Sequence, residues 1–407
     1  MELFRRYRKL SIGVKILLWM VMGLIAGIVF GEDATIVKPI GDIFIKLLLM
    51  AAIPLVFFNL IAGITGISDI GVLGRLGVRT LLYYVTTTAM ALTVGLAIAS
   101  TTRPGDGMEL SEPVDESFGE VPSLVDVILD LFPDNVFEAF STGNIAQVVV
   151  FAIFLGITTL LLPPDQKQRL QDFFALVAHL LRQLVNLILY FGPIGVSALA
   201  AATVGEHGSA IFGPLAKFIF SVWFAQLLMV FFYMFLLLVL ARRNPLQWLK
   251  TTAPLYATTA ATTSSLASLV VAMDVARSRL RLPQRVYSFT LPLGAQLNKD
   301  GTAIMLATVL LFTAQAAGVE FSLQAQVSII FVGLVLSEGS GGIPSGGMVI
   351  AFIFVQAFNL PLEIAAIVAG IYRLIDMGGT TINVMGDMVW STIISDLEAK
   401  HAEQAAE

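Results

Sequence analysis

The 407-residue chain contains no cysteine. That excludes a disulfide framework, a thiolate metal site and a cysteine nucleophile. Histidine is scarce as well. His179, His207 and His401 are scattered, which argues against a histidine metal cluster. Charge is the third scarcity: 13% of residues are Asp, Glu, Lys or Arg, against roughly 25% in ordinary soluble domains. Nor does the sequence offer a nucleophile–base pair or a phosphate loop. SGGIPSGG is glycine-rich but lacks the lysine and the strand-to-helix setting of a P-loop, so an enzyme is not expected.

What is abundant is apolar. Hydrophobic residues make up 57% of the chain and mean hydropathy is +0.85. Runs such as 16–30, 44–61, 212–241 and 303–316 are mostly free of charge, and several are long enough to span a bilayer. The chain reads as an integral helical membrane protein. Its net charge of -5 says little, because the charges are placed asymmetrically. The basic N-terminal lead (Arg5, Arg6, Arg8, Lys9) precedes an apolar run without a small-residue cleavage pattern, which favours a retained first span over a signal peptide, with its basic flank inside.

Alternating loops fit that orientation. Residues 31–38 carry Glu32 and Asp33 and belong outside, and the stretch around Arg75 and Arg79 belongs inside. The acidic, Pro/Gly-punctuated 105–120 suits an external loop after a third span over about 80–100. The next region is interrupted at 133–135 and 142–144. PPDQKQR (163–169) reads as an internal linker, a fifth span over 170–203 carries a GPIG break at 192–195, and a sixth over 212–241 ends at Arg242, Arg243 and Lys250. Residues 253–275, crowded with Thr and Ser, lie between two basic groups. That fits a re-entrant hairpin with a polar tip better than a plain polar span. A seventh span over 286–316 is interrupted at 291–302, and 324–359 forms a second hydrophobic pair around SEGSGGIPSGG (337–347). Two tipped hairpins, each followed by an interrupted helix and one entering from each side, suggest an inverted repeat of the kind found in secondary transporters. The polar tail belongs inside.

The last apolar segment places Asp376, Thr380, Asn383 and Asp387 at steps of four, three and four, which align on one helical face. Carboxylates inside a membrane are rare, and they face a bundle interior or a solute pathway.

The stretches YYVTTTAMALTVG (83–95), LFPDNVFEAFSTGN (131–144), the Ser/Thr tip, YSFTLPLGAQLNKDGT (287–302), SEGSGGIPSGG and DMGGTTINVMGD (376–387), in this order, resemble the dicarboxylate/amino acid:cation symporters. That family includes the excitatory amino acid transporters and archaeal aspartate transporters. The resemblance implies an all-α integral membrane protein with eight transmembrane helices plus two re-entrant hairpins, a homotrimer in the cell membrane, and an elevator motion. Its domains would be scaffold helices in 1–75, a transport-domain helix in 76–103, an external loop and scaffold helices in 104–207, the transport domain in 208–395 and a cytoplasmic tail in 396–407.

The resemblance also implies roles. Asp387 with main-chain oxygens of Gly294, Asn298 and Asn383 would form one sodium site. Tyr84, Thr87, Thr88, Asn298 and Asp300 would form a second, and main-chain oxygens around Gln296, Ser337, Glu338 and Ser340 a third. Sodium is expected as the coupling ion, with no other cofactor and no nucleic-acid partner. Asp376 would meet a substrate amino group with Thr380 beside it. Asn383 and main-chain groups at Ser265, Ile343 and Gly347 would hold an α-carboxylate, and Thr302 would line the pocket. A purely structural hydrogen bond is the plainer role for Asp376.

Two departures from the family pattern matter, Gly379 and Lys299, and Arg373 bears on the first. Acidic-amino-acid members carry arginine in DMGRT, where this chain has Gly379. Without that bidentate partner a substrate side-chain carboxylate is left unpaired, so retained Asp376 with Gly379 predicts a neutral amino acid. Arg373, one turn earlier, either reaches the pocket and restores acidic specificity or pairs with a neighbouring helix. Lys299 replaces the usual methionine. Either it pairs with Glu338 and stands in for a cation, altering coupling or adding proton dependence, or it is a lysine on the cavity edge. An acidic amino acid or C4-dicarboxylate carrier is the alternative function.

Overall fold

The computed structural model describes residues 7, 10, 12–66, 76–108, 129, 132–338 and 346–404. Ser340, Ile343 and the tip of the second hairpin lie outside them, as does the side chain of Glu338. Among the described residues all regular structure is helical, as expected where backbone polar groups must be satisfied within each segment.

The chain runs through α1 (Ile12–Phe30), a 3-10 turn (Gly31–Val37), α2 (Lys38–Thr65), α3 (Val78–Thr102), the short α4 (Val136–Thr142), α5 (Ile145–Leu160) and the long α6 (Pro164–His207). It continues with α7 (Phe212–Leu236), the pair α8 (Pro245–Thr262) and α9 (Ser265–Asp274), then α10 (Gln284–Leu297) and α11 (Asp300–Ala316). The pair α12 (Leu323–Glu338) and α13 (Gly346–Ala357) and a final helix α14 (Leu362–Gln404) complete it. Among the described residues four stretches are long and apolar enough to cross a bilayer: Val14–Thr65, Val78–Thr102, Pro164–Glu206 and Phe212–Ala241.

The interruptions expected at GPIG and in the helix after the second hairpin are absent, since α14 runs unbroken from Leu362 to Gln404, and the linker between α5 and α6 is shorter than expected, with residues 161–163 alone outside helix. Residues 163–169 are the start of α6, not a linker: Pro163 is its N-cap, Pro164 occupies the first turn and Asp165 sits beside the free N–H groups. GPIG does not break α6 either, and Pro193 lies within the helix. Its glycines are packing notches. A Cβ on Gly192 would meet Ile16 of α1 at 3.0 Å, and one on Gly195 would press into Phe44 of α2. Pro193 has no N–H to continue the helical ladder at that point.

The helices sort into two packs. Helices α1 and α2 lie along α6, and α5 joins α2 through Phe57, which stacks on Phe151 with centroids 5.8 Å apart. Helix α3 lies along α11, and α7, α8, α10, α11 and α13 all pack on α14. Trp390 of α14 stacks on Tyr83 of α3 at 4.5 Å and donates to Thr80 Oγ1 at 2.9 Å. Between the packs lies an apolar cavity of about 620 Å³, with Leu60, Ile64 and Val149 on one side and Tyr84, Leu297 and Leu334 on the other.

The α8–α9 pair turns at Thr263 and Ser264. Thr263 ends α8 in the left-handed conformation with φ 48°, and Ser264 caps α9 by accepting from Ala267 N at 3.2 Å. The interruption expected over 291–302 is much narrower. Helix α10 runs to Leu297 and α11 begins at Asp300, so only Asn298 and Lys299 leave helical geometry.

Candidate functional site

The α10–α11 break faces the polar stripe of α14. The two residues between helices expose the last carbonyls of α10 and the first N–H groups of α11, and α14 supplies the side chains that meet them. Asn298, fully buried, donates from Nδ2 to Asp387 Oδ1 at 2.9 Å and to the Asn383 carbonyl at 3.1 Å. Gly294 closes this group. A Cβ there would collide with the Asp387 carboxylate and meet Tyr84 Oη at 2.6 Å. The structure therefore brings together Gly294, Asn298, Asn383 and Asp387, the set expected from the resemblance.

Asp300 organises a second group. It is 0% exposed and accepts from Thr88 Oγ1 at 2.7 Å and from Tyr233 Oη. Thr87 Oγ1 donates to the Tyr84 carbonyl at 3.2 Å, and Tyr84 Oη donates to the Thr290 carbonyl at 2.9 Å. Asn298 Oδ1 is buried without a hydrogen-bond donor. An orphaned buried oxygen beside a buried carboxylate is costly, and a monovalent cation would relieve both. The donors are carboxylates, carbonyls and hydroxyls, a set suited to a hard alkali ion. Among the described residues no cluster of three or more His, Cys, Asp or Glu forms.

Tyr233 was not foreseen. It lies in the apolar run of α7, where an aromatic residue reads as filler. The one signal was Gly386 of the MGD motif: a Cβ there would come within 2.7 Å of both Tyr233 Oη and Asn298 Nδ2.

About two turns from Asp387 along α14, Thr380 Oγ1 donates to Asp376 Oδ1 at 3.3 Å. Asn383 Oδ1 accepts from Gly301 N at 2.7 Å, leaving its amide nitrogen as the end suited to a carboxylate. Thr302 and Gly347 converge on Tyr372, since a Cβ on Gly347 would meet Tyr372 Oη at 2.6 Å and Thr302 Cγ2 at 3.1 Å. The Tyr372 hydroxyl also faces Asp376 and the backbone of Gly347 and Met348, a second residue that sequence reasoning missed. Gly379 lies against Gly301 and Gln226. A Cβ there finds only ordinary contacts, Gly301 O at 3.5 Å and Gln226 Nε2 at 3.8 Å. Ser265 opens α9 at the hairpin tip, and the tip rests on α14 through Thr259 and Thr381, whose hydroxyls are 2.8 Å apart.

The two basic candidates are also placed. Arg373 donates to Thr263 Oγ1 and to the Ala261 carbonyl, each at 2.8 Å, so it grips the hairpin tip. Lys299 is 1% exposed, which overturns the cavity-edge alternative. Its Nζ donates to the Ala295 carbonyl at 2.9 Å and the Asn298 carbonyl at 3.4 Å. Of the third expected cation site, Gln296 lies in the last turn of α10 and Ser337 and Glu338 end α12.

A family model described as "Sodium:dicarboxylate symporter family" matches residues 12–397. Among curated proteins, the chain is 30% identical to a proton/sodium-glutamate symport protein of Bacillus caldotenax, covering 98% of this chain and 97% of that one. It is 30% identical to a proton/glutamate-aspartate symporter of Bacillus subtilis, covering 96% and 95%. It is 28% identical to a C4-dicarboxylate transport protein of the same species, covering 99% and 96%. With a family match spanning nearly the whole sequence, the chain belongs to the sodium:dicarboxylate symporter family.

Proposed function

We propose that the protein is a sodium-coupled importer of a neutral amino acid, working in the cell membrane with both termini cytoplasmic. The observation that carries the substrate class is the environment of Gly379. Beside Asp376 and Thr380, the position is bordered by the Gly301 backbone and the uncharged Gln226, and the nearby guanidinium of Arg373 is engaged on the hairpin tip. An ammonium finds its partner in Asp376. A second, side-chain carboxylate finds no cation there, at a cost of several kcal/mol when desolvated. Sodium coupling is supported by the two oxygen-rich groups at the helix break.

The two packs support an elevator motion, with α1, α2, α5 and α6 as scaffold and α3 and α7–α14 as the moving body. The apolar cavity between them leaves few polar contacts to break. Exposed Leu176, Leu180, Leu187 and Tyr190 on α6 suit lipid or a second copy, in keeping with a homotrimer embedded in the bilayer.

A second reading, an acidic or dicarboxylate carrier, is favoured by the relatives' names and requires Arg373 to leave the tip and turn inward. Thermal stabilisation of the purified protein by all amino acids and C4 dicarboxylates, in sodium and in choline, separates the two. Stabilisation by a neutral amino acid in sodium is the expected result. Stabilisation by glutamate, aspartate or a dicarboxylate alone would overturn the neutral reading in favour of the second.

A further inference from the structure

Lys299 is among the largest fully buried side chains of the molecule. A buried ammonium is tolerated only where acceptors replace its water. Two of its acceptors come from the end of α10. Asn298 N returns to the Gly294 carbonyl at 2.9 Å, but the chain then leaves helical geometry, so the Ala295 carbonyl loses its partner on the i+4 amide. Lys299 Nζ takes that carbonyl and the Asn298 carbonyl. These oxygens lie at the negative end of a broken helix, the kind of backbone that coordinates ions in transporters. The Asn298 carbonyl is moreover one of the oxygens assigned above to the cation group of Asp387. Lys299 is also close enough for its charge to act on both Asp300 and Asp387. Two buried carboxylates thus share one buried ammonium that the chain itself supplies.

We propose that Lys299 is a tethered internal cation. Its ammonium occupies the coordination position that a diffusible monovalent ion would take on the α10 carbonyls, so the protein binds one sodium ion fewer with its substrate than the same site with a neutral residue at 299. This rests on the reading of the chain as a sodium-coupled transporter. It goes beyond that reading in assigning part of the coupling charge to a side chain that cannot dissociate. Gln can donate to these carbonyls without supplying charge, and Met can do neither.

The test uses the full-length purified protein and three variants: Lys299→Met, Lys299→Gln and Lys299→Arg. The first measurement is the dependence of the thermal midpoint on sodium without substrate, with choline as the ionic-strength control. The neutral variants should be less stable than the wild type in choline and should recover more of that loss in sodium than the wild type gains. The second is the slope of log Kd for substrate against log sodium concentration, expected to steepen by about one unit in Met and Gln and to stay at the wild-type value in Arg. Equal sodium stabilisation in all four proteins, or an unchanged slope in the neutral variants, would overturn the proposal. So would neutral variants that fail to fold even in saturating sodium, because the ion should then replace the missing charge. If the wild type binds no amino acid but sodium selectively rescues Lys299→Met, the substrate reading fails while the role of Lys299 survives.

Discussion

Arg373 on α14 donates to Thr263 Oγ1 at 2.8 Å, tying the long final helix to a hairpin residue whose backbone is left-handed. A β-branched residue at positive φ is strained by about 1–3 kcal/mol, and it persists only when its surroundings hold it. The second guanidinium bond, to the Ala261 carbonyl, satisfies a helix end as well. Arg373→Gln should therefore weaken binding of the neutral substrate by roughly five- to thirtyfold, corresponding to about 1–2 kcal/mol of lost hydrogen bonding. The ranking of neutral over acidic amino acids should not change. Competition binding reads both. A reversed ranking would mean that the guanidinium reaches the substrate.

Gly379→Arg should convert the pocket. A Cβ at this position meets nothing closer than 3.5 Å, so the longer side chain can leave the helix without displacing backbone. The expected outcome is appearance of glutamate or aspartate binding, at least tenfold tighter than in the parent, with loss of affinity for the neutral substrate. Isothermal binding in sodium measures the exchange. No gain for either acidic amino acid would remove Gly379 as the determinant of substrate charge.

Gly301→Ala should act on stability instead. Its Cβ would overlap the Gly379 carbonyl, where two backbones meet and neither can yield as a flexible side chain would. Overpacking of this kind costs about 1–3 kcal/mol. The same residue donates to Asn383 Oδ1, so a displaced α11 also disturbs the orientation of the Asn383 amide. Thermal unfolding in detergent should show a clear drop for Gly301→Ala and little change for Gly379→Ala.

Sequence reading ended the sixth span at Arg242 and put a polar turn inside 253–275, where the structure turns at Thr263 and Ser264, but it spread the α10–α11 interruption over 291–302 where Asn298 and Lys299 suffice. It failed at 163–169 because the prolines there start a helix instead of ending one. It failed at GPIG because proline and glycine mark a local preference, whereas Ile16 and Phe44 pack into the glycine notches of a helix that continues. The α14 stripe was legible because period and chemistry coincide in Asp376, Thr380, Asn383 and Asp387. Tyr233 and Tyr372 were not, because a tyrosine in an apolar helix announces neither which way its hydroxyl points nor that a glycine opposite makes room for it. The carbonyl partners of Lys299 belong to the backbone and have no side-chain signature at all.

Tyr233→Phe offers a test of whether a cation reaches Asp300. The ring can stay, so packing against neighbouring helices is preserved, and the change removes only the donor to Asp300 Oδ2. A hydrogen bond to a charged group is worth about 1.5–3 kcal/mol, and Asp300 retains Thr88 as a donor. In choline the variant should be destabilised by close to that amount. In sodium the loss should shrink, because an ion held between Asp300 and the orphaned Asn298 Oδ1 compensates the carboxylate and stabilises the folded state by mass action. Thermal midpoints of parent and variant in the two salts give the comparison directly. The same deficit in both salts would mean that sodium does not bind at Asp300, and the second oxygen group would then be a structural network around a buried carboxylate.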